Sequence, residues 1–420
     1  MTNNQTEPHH NNTSIHRTSV IGLRVLSLTA LGLGSFLLAI GVKLFRDTFT
    51  KSLVSPVDIS WYSTVSTSSA TTIKTPVVRK EKNIVYGFLP YWNAKDIQLH
   101  PEITHIGYFS LPIDRNGKFT TTSDEATSGW KAYHSDPVER MRIRAQENGQ
   151  KFEILITMMD ADEISAFLMN KKAQEQFFSQ IKTFIKTQPI DGINIDIEYA
   201  GTVDPTIRSA YTTFIANFSS QVKRVQPSLH ISIDVFADSA LKNRIWDIAA
   251  IEPHIDHIVI MTYDFFRSSS SQSGPVAPLF GSEKNRWDVD IVKTLKPFFD
   301  IVPPNKLLLG IPFYGYEWQT VSAEPGAFTY PKSGGIATYK RVQKLIQDLQ
   351  IREQWDKDAM SPFLTYTERG NIQTIYYENS KSLSYKLDLV NESGMGGIAI
   401  WALGYEGKTR ELWDVIGRKM

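Results

Sequence analysis

The chain contains no cysteine among its 420 residues. Disulfides, thiolate metal sites and a cysteine nucleophile are therefore excluded. It also has almost no net charge, +1 from 45 basic and 44 acidic residues, and no basic stripe. Nothing in that balance points to nucleic acid as a partner. Histidine is scarce: nine residues include the pair His9-His10 but no His-x-x-x-His spacing, so neither a metal nor another cofactor is expected. Long apolar runs are also rare, and one stands out. Residues 25–42, VLSLTALGLGSFLLAIGV, carry no charge over about the length that crosses a bilayer core. A cleaved leader would have a shorter apolar stretch ending in small residues, whereas this one runs into KLFRD. The expectation is a disordered segment over 1–18, a transmembrane helix over 19–44, and a flexible Ser/Thr-rich linker over 45–82. That arrangement implies a lipid bilayer as one partner and a folded domain outside the cytoplasm, with secretion after cleavage as the alternative. Flanking charges, Arg17 and Arg24 before the run and Lys43, Arg46 and Lys51 after it, leave the orientation open.

What is present from residue 83 onward is alternation. Short apolar runs begin at Ile84, Ile103, Phe152, Gly192, Leu229, His257, Lys306 and Gly396. Amphipathic stretches such as AQEQFFSQIKTFIKT and RSAYTTFIANFSSQVKRV lie between them. Eight strands alternating with helices predict an α/β fold, an eight-stranded parallel β/α (TIM) barrel. Residues 319–395 are too long for a loop and predict a small α+β insertion. In such a barrel the site forms at the C-terminal ends of the strands, and polar residues gather there: Asp196 and Glu198, Asp234, Tyr263 and Asp264, Tyr314 and Trp318, and Trp401. Aromatic rings beside carboxylates suit a sugar, whose apolar faces stack while its hydroxyls hydrogen-bond.

The stretch DGINIDIEYA, residues 191–200, places Asn194, Asp196 and Glu198 at every second position. On a strand these three share a face. A half-exposed strand gives the same alternation, but acids side by side repel, and a merely solvated strand would more naturally carry Thr or Lys. Close like charges raise the pKa of one member, which suits a general acid.

DGINIDIE resembles the Asp-Gly-x-(Asp/Asn)-x-Asp-x-Glu signature of the family 18 glycoside hydrolases, the chitinases and related N-acetylglucosaminidases. GFLPYW, MTYDF, SGPVAPLFG, LLLGIPFYGYEW and GGIAIWALG resemble further family motifs, in order along the chain. The resemblance implies a glycosidase acting on 2-acetamido sugars by substrate-assisted, retaining catalysis, with Glu198 as the acid, Asp196 holding the acetamido group and Tyr263 bonding its carbonyl. It implies a floor at Trp401 and a substrate-binding set of Asn194, Asp191, Asp264, Tyr314, Trp318, Trp92 and Phe88. Chitin and peptidoglycan both satisfy it, and a tether favours the cell-wall glycan. An inactive lectin on the same barrel is the alternative, although such members usually lack the acid that Glu198 supplies. Departures from the family pattern are Asn194 where many members carry Asp, Phe88 for a frequent Tyr, and ITMMDADE at the third strand.

Overall fold

The computed structural model describes residues 83–95, 97–121, 129–281 and 289–420. The expected segments 1–18, 19–44 and 45–82 lie outside the described residues, and among those described no helix is long and apolar enough to cross a membrane.

Strands buried on both faces should read as apolar runs, and they do. The described strands are β1 (Ile84–Pro90), β2 (His105–Pro112), β3 (Lys151–Met158), β4 (Gly192–Ile197), β5 (His230–Phe236), β6 (His257–Met261), β7 (Leu307–Pro312), β8 (Tyr314–Thr320), β9 (Gly335–Thr338), β10 (Gln354–Asp356), β11 (Ser361–Glu368), β12 (Asn371–Tyr376) and β13 (Gly397–Trp401). Eight of them close into a barrel in the order β1-β13-β7-β6-β5-β4-β3-β2. All pairs in it are parallel. The expected barrel is therefore present, each strand within two residues of its predicted start.

The outer core is made by helices whose apolar stripes face the strands. In Lys171–Thr187 the buried positions Ala173, Phe177, Phe178, Ile181, Phe184 and Ile185 recur at helical spacing, and the Asn170 side chain caps the first turn by accepting from the amides of Lys172 and Ala173. The next helix, Pro205–Val225, starts behind an Asp204 cap and sends Phe214 against Phe177 and Phe178, with ring centroids 5.8 Å apart in both pairs. Each buried Phe is worth about 1.5–3 kcal/mol, so these rings fix where the helices sit on the barrel.

Inside the barrel a smaller apolar cluster of Tyr86, Phe88, Leu155, Val259, Leu308 and Ala399 fills the middle layer. β4 is buried throughout. Ile193, Ile195 and Ile197 pack outward into the main core, so the polar row turns inward rather than to solvent. The alternative of a half-exposed strand is thereby excluded.

The insertion is a five-stranded antiparallel sheet, β10-β11-β12-β8-β9, with the helix Tyr339–Leu349 beside it. It begins at Tyr314, earlier than the expected 319, because the chain breaks after Pro312 and re-enters as a new strand at once. Gly315 permits this: a Cβ there would sit 1.7 Å from the Tyr376 carbonyl oxygen on β12. Ser380–Glu392, within the expected insertion, is a helix that packs on β13 and on the C-terminal helix Glu411–Lys419.

Candidate active site

A cleft of about 630 Å³ is lined by residues from the C-terminal ends of β4, β5, β6 and β13, with the insertion as one wall. Asp196 and Glu198 come from β4, Asp234 from β5, Tyr263 and Asp264 from the end of β6, Tyr314 and Tyr316 from β8, and Trp401 from β13. Residues separated by more than two hundred positions in the chain meet here because parallel strands all deliver their C-terminal ends to one face.

The carboxylates are the chemical centre. Asp196 is 3% exposed and its Oδ1 has no hydrogen-bond partner within the chain. A buried acceptor is normally paired, so an unpaired one lining a cleft is suited to a donor brought by a ligand. Burial pushes the Asp196 carboxyl well above the usual range, and the charges of Glu198 and Asp234 push it further. Glu198 is half-buried, its backbone amide donating to the Met158 carbonyl at 2.9 Å. Burial raises its pKa first, the Arg267 guanidinium opposes that, and Asp264 adds to the rise. The cause expected from sequence was the neighbouring acid; desolvation leads instead.

Asn194 faces inward below this pair. Its Nδ2 donates to Asp234 Oδ1 at 2.7 Å and to Ser232 Oγ at 3.0 Å. The Asp234 carboxyl is buried and raised by that burial, with the Asn194 donor offsetting part of the rise. Tyr263 is raised well above an ordinary phenol by burial and by Asp234, Glu198 and Asp196, so it stays a donor at any physiological pH. Its ring lies against β7 where Gly310 stands; a Cβ there would come within 2.9 Å of the Tyr263 Cε1.

Asp264 adopts a left-handed backbone with φ 61°, uncommon for a residue with a Cβ. It is held there by two phenols, Tyr314 at 2.5 Å and Tyr316 at 2.9 Å, both donating to Oδ1. The Arg267 Nε donates to the Asp264 carbonyl at 3.2 Å. Strain fixed by three partners at a cleft is typical of a site that must be preorganised. Trp401 forms an apolar wall, perpendicular to Phe109 at 4.8 Å.

Other expected site residues sit elsewhere. Asp191, first in the signature, lies before β4 at the opposite end of the barrel, where its Oδ2 accepts from the Phe152 amide at 2.9 Å and Lys151 neutralises it. Phe88 is buried in the barrel interior beneath Trp401, at 5.6 Å. Trp318 is fully buried on β8 and donates to the Arg267 carbonyl at 3.1 Å, so it supports the Arg267 loop from behind. Trp92 is exposed and packs edge-on against Phe109 without lining the cleft. Tyr316, Tyr405, Phe109, Phe236 and Arg267 line the cleft and were not singled out as site residues from sequence. Tyr316 had a signal: in YGYEW it lies two residues after Tyr314 and so shares its face on a strand.

A closed β/α barrel with paired acids, a phenol and tryptophan at its C-terminal mouth has the form of a glycosidase. The model of the Glycosyl hydrolases family 18 matches residues 75–406, and the chain belongs to that family. It is similar to probable di-N-acetylchitobiase 2 of Dictyostelium discoideum, 27% identical over 272 residues and covering 58% of this chain and 68% of the relative. It is also similar to the cortical fragment-lytic enzyme of Bacillus anthracis, 25% identical over 318 residues and covering 73% of this chain and 66% of that one. Among solved structures, the Group IV chitinase of Ostrinia furnacalis in complex with allosamidin shares the fold, with a TM-score of 0.69 at 19% identity over 80% of this chain and 98% of that chain. The spore cortex-lytic enzyme SleL of Bacillus megaterium does so with a TM-score of 0.62 at 19% identity over 82% and 76%.

Proposed function

We propose that this glycosidase cleaves β-1,4-linked N-acetylglucosamine-containing glycans, of chitin or peptidoglycan type, by substrate-assisted retaining catalysis. The observation that carries the proposal is that Asp196, Glu198 and Tyr263 line one cleft, with both carboxyls and the phenol shifted toward their protonated forms. Glu198 gives its proton to the glycosidic oxygen as the bond to the anomeric carbon breaks. The oxygen of the sugar's own 2-acetamido group bonds to that carbon from the opposite face, so the substrate serves as nucleophile. Asp196, through its unpaired Oδ1, accepts from the acetamide N–H, and the Tyr263 hydroxyl donates to the acetamide oxygen. The Glu198 carboxylate then takes a proton from water, which attacks the anomeric carbon and reopens the acetamide with net retention. Trp401 supplies the apolar surface under the reacting sugar.

Relatives named for chitobiose and for cortical fragments support both glycan classes. The uncharged run at 25–42 supports a membrane-anchored form acting outside the cytoplasm, which fractionation of the full chain with and without residues 1–44 tests. For the chemistry, the test is a matched pair of β-1,4 oligosaccharides, N-acetylated and de-N-acetylated. The proposal expects cleavage of the first alone, with the β-anomer formed initially; equal cleavage of both would refute substrate assistance.

A further inference from the structure

The barrel's other end holds a second cluster, which no spacing in the sequence reveals. Glu153 on β3, Gly192 on β4 and His230 on β5 are register partners across three adjacent strands. Gly192 has no side chain, and a Cβ there would lie 2.6 Å from Glu153 Cδ. Glu153 therefore reaches past β4 and meets His230 Nδ1 at 2.7 Å. From β2, His105 brings its Nε2 to 4.0 Å from the same oxygen. One nitrogen from each histidine and a carboxylate oxygen all lie within 4.8 Å of one another.

The far side of each imidazole is also held. His105 Nδ1 is 2.8 Å from Thr104 Oγ1, and His230 Nε2 is 2.8 Å from His257 Nδ1. An outer partner on one ring nitrogen turns the other inward, which is how metal-ligating histidines are oriented. Glu153 is fully buried, yet its Oε2 has no well-formed hydrogen bond, although the Tyr86 hydroxyl lies nearby. A buried carboxylate oxygen left unpaired is costly and suits a cation. The histidine side chains remain 16–17% exposed, which leaves a way in from solvent.

We propose that His105, Glu153 and His230 bind a zinc ion, with water as a fourth ligand. Two imidazoles and one carboxylate match zinc better than magnesium or calcium, which prefer all-oxygen sets. Tetrahedral zinc with bonds of about 2.0–2.2 Å sets its ligand atoms about 3.4 Å apart, so binding draws His105 in from 4.0 Å and opens the 2.7 Å contact between Glu153 and His230. The role is structural: the ion ties β2, β3 and β5 together at the end of the barrel where residues serve stability rather than catalysis.

The test uses the full chain stripped of metal, titrated with zinc in competition with a chromophoric chelator, beside His105→Ala. His9 and His10 are present in both proteins, so any binding there cancels. Wild type should take up one equivalent more than His105→Ala, and zinc should raise the melting temperature of wild type only. Cobalt should give the intense visible absorption of a four-coordinate site in wild type and lose it in the variant. His105→Ala keeps the Glu153–His230 bond; Glu153→Gln serves as a second variant. Equal zinc stoichiometry in wild type and His105→Ala would overturn the proposal, leaving a hydrogen-bonded cluster that takes no metal.

Discussion

The Asn194 side chain donates to Asp234 Oδ1 at 2.7 Å, inside the barrel and directly beneath the acid pair. This bond defines what the amide in the signature does. It holds the Asp234 carboxyl in place and partly counters the effect of its burial, instead of facing Asp196 as a proton partner. Asp196 is thus left crowded by two acids, with an unpaired oxygen.

That crowding has a stability consequence. A carboxyl whose folded pKa is raised favours folding most below its unfolded value, near 3.9 for Asp, and loses that contribution as pH rises toward the folded value. Asp196→Asn removes the penalty of an ionised, buried acid. The variant should be more stable than wild type at pH 7, by roughly 0.5–2 kcal/mol, while losing activity. Melting curves at pH 7 and at pH 4 check this, since the gain should vanish at the lower pH.

In the proposed mechanism the Tyr263 hydroxyl donates to the acetamide oxygen and holds it in line to attack the anomeric carbon. Tyr263→Phe keeps the ring against Gly310 and removes only the hydroxyl. Loss of that positioning donor should lower kcat about 10²-fold with a smaller change in KM. Steady-state kinetics on N-acetylated oligosaccharides measure both constants.

Arg267 opposes the rise in Glu198 pKa. Arg267→Gln should therefore move the Glu198 pKa upward. Because the acid works protonated, activity should persist to higher pH in the variant, shifting the alkaline limb of the kcat/KM profile up. The difference should shrink with added salt, because Arg267 is exposed.

Lys386 and Glu378 form an ion pair at 2.7 Å with both side chains at most 1% exposed. Burial raises the Glu378 pKa and lowers that of Lys386, so desolvation outweighs the attraction on both partners. Lys386→Met alone strands a buried acid and should cost about 3–5 kcal/mol, whereas Lys386→Met with Glu378→Leu should cost much less. Urea unfolding of the two variants separates these outcomes.

The barrel was legible because helix-covered parallel strands leave apolar runs that end in polar residues. Asp196, Glu198, Tyr263, Asp264, Tyr314 and Trp401 were legible for the same reason. Asp191 misled because a motif contiguous in sequence spans a strand: seven residues at about 3.3 Å each carry Asp191 and Glu198 to opposite ends of the barrel. Trp318 misled because it shares a face with Tyr314 and Tyr316 but lies further along β8, past the cleft, where it is buried beneath the Arg267 backbone. The cluster of His105, Glu153 and His230 was invisible because its members meet only across strand register.

The central claim rests on Glu198. Wild type and Glu198→Gln should be compared on chitooligosaccharides and on purified peptidoglycan, with products read by mass. Wild type should release fragments from at least one of them, and the variant should be slower by about 10²–10⁴-fold while still binding. Binding without cleavage by either protein, or undiminished cleavage by Glu198→Gln, would contradict the assignment of Glu198 as the acid.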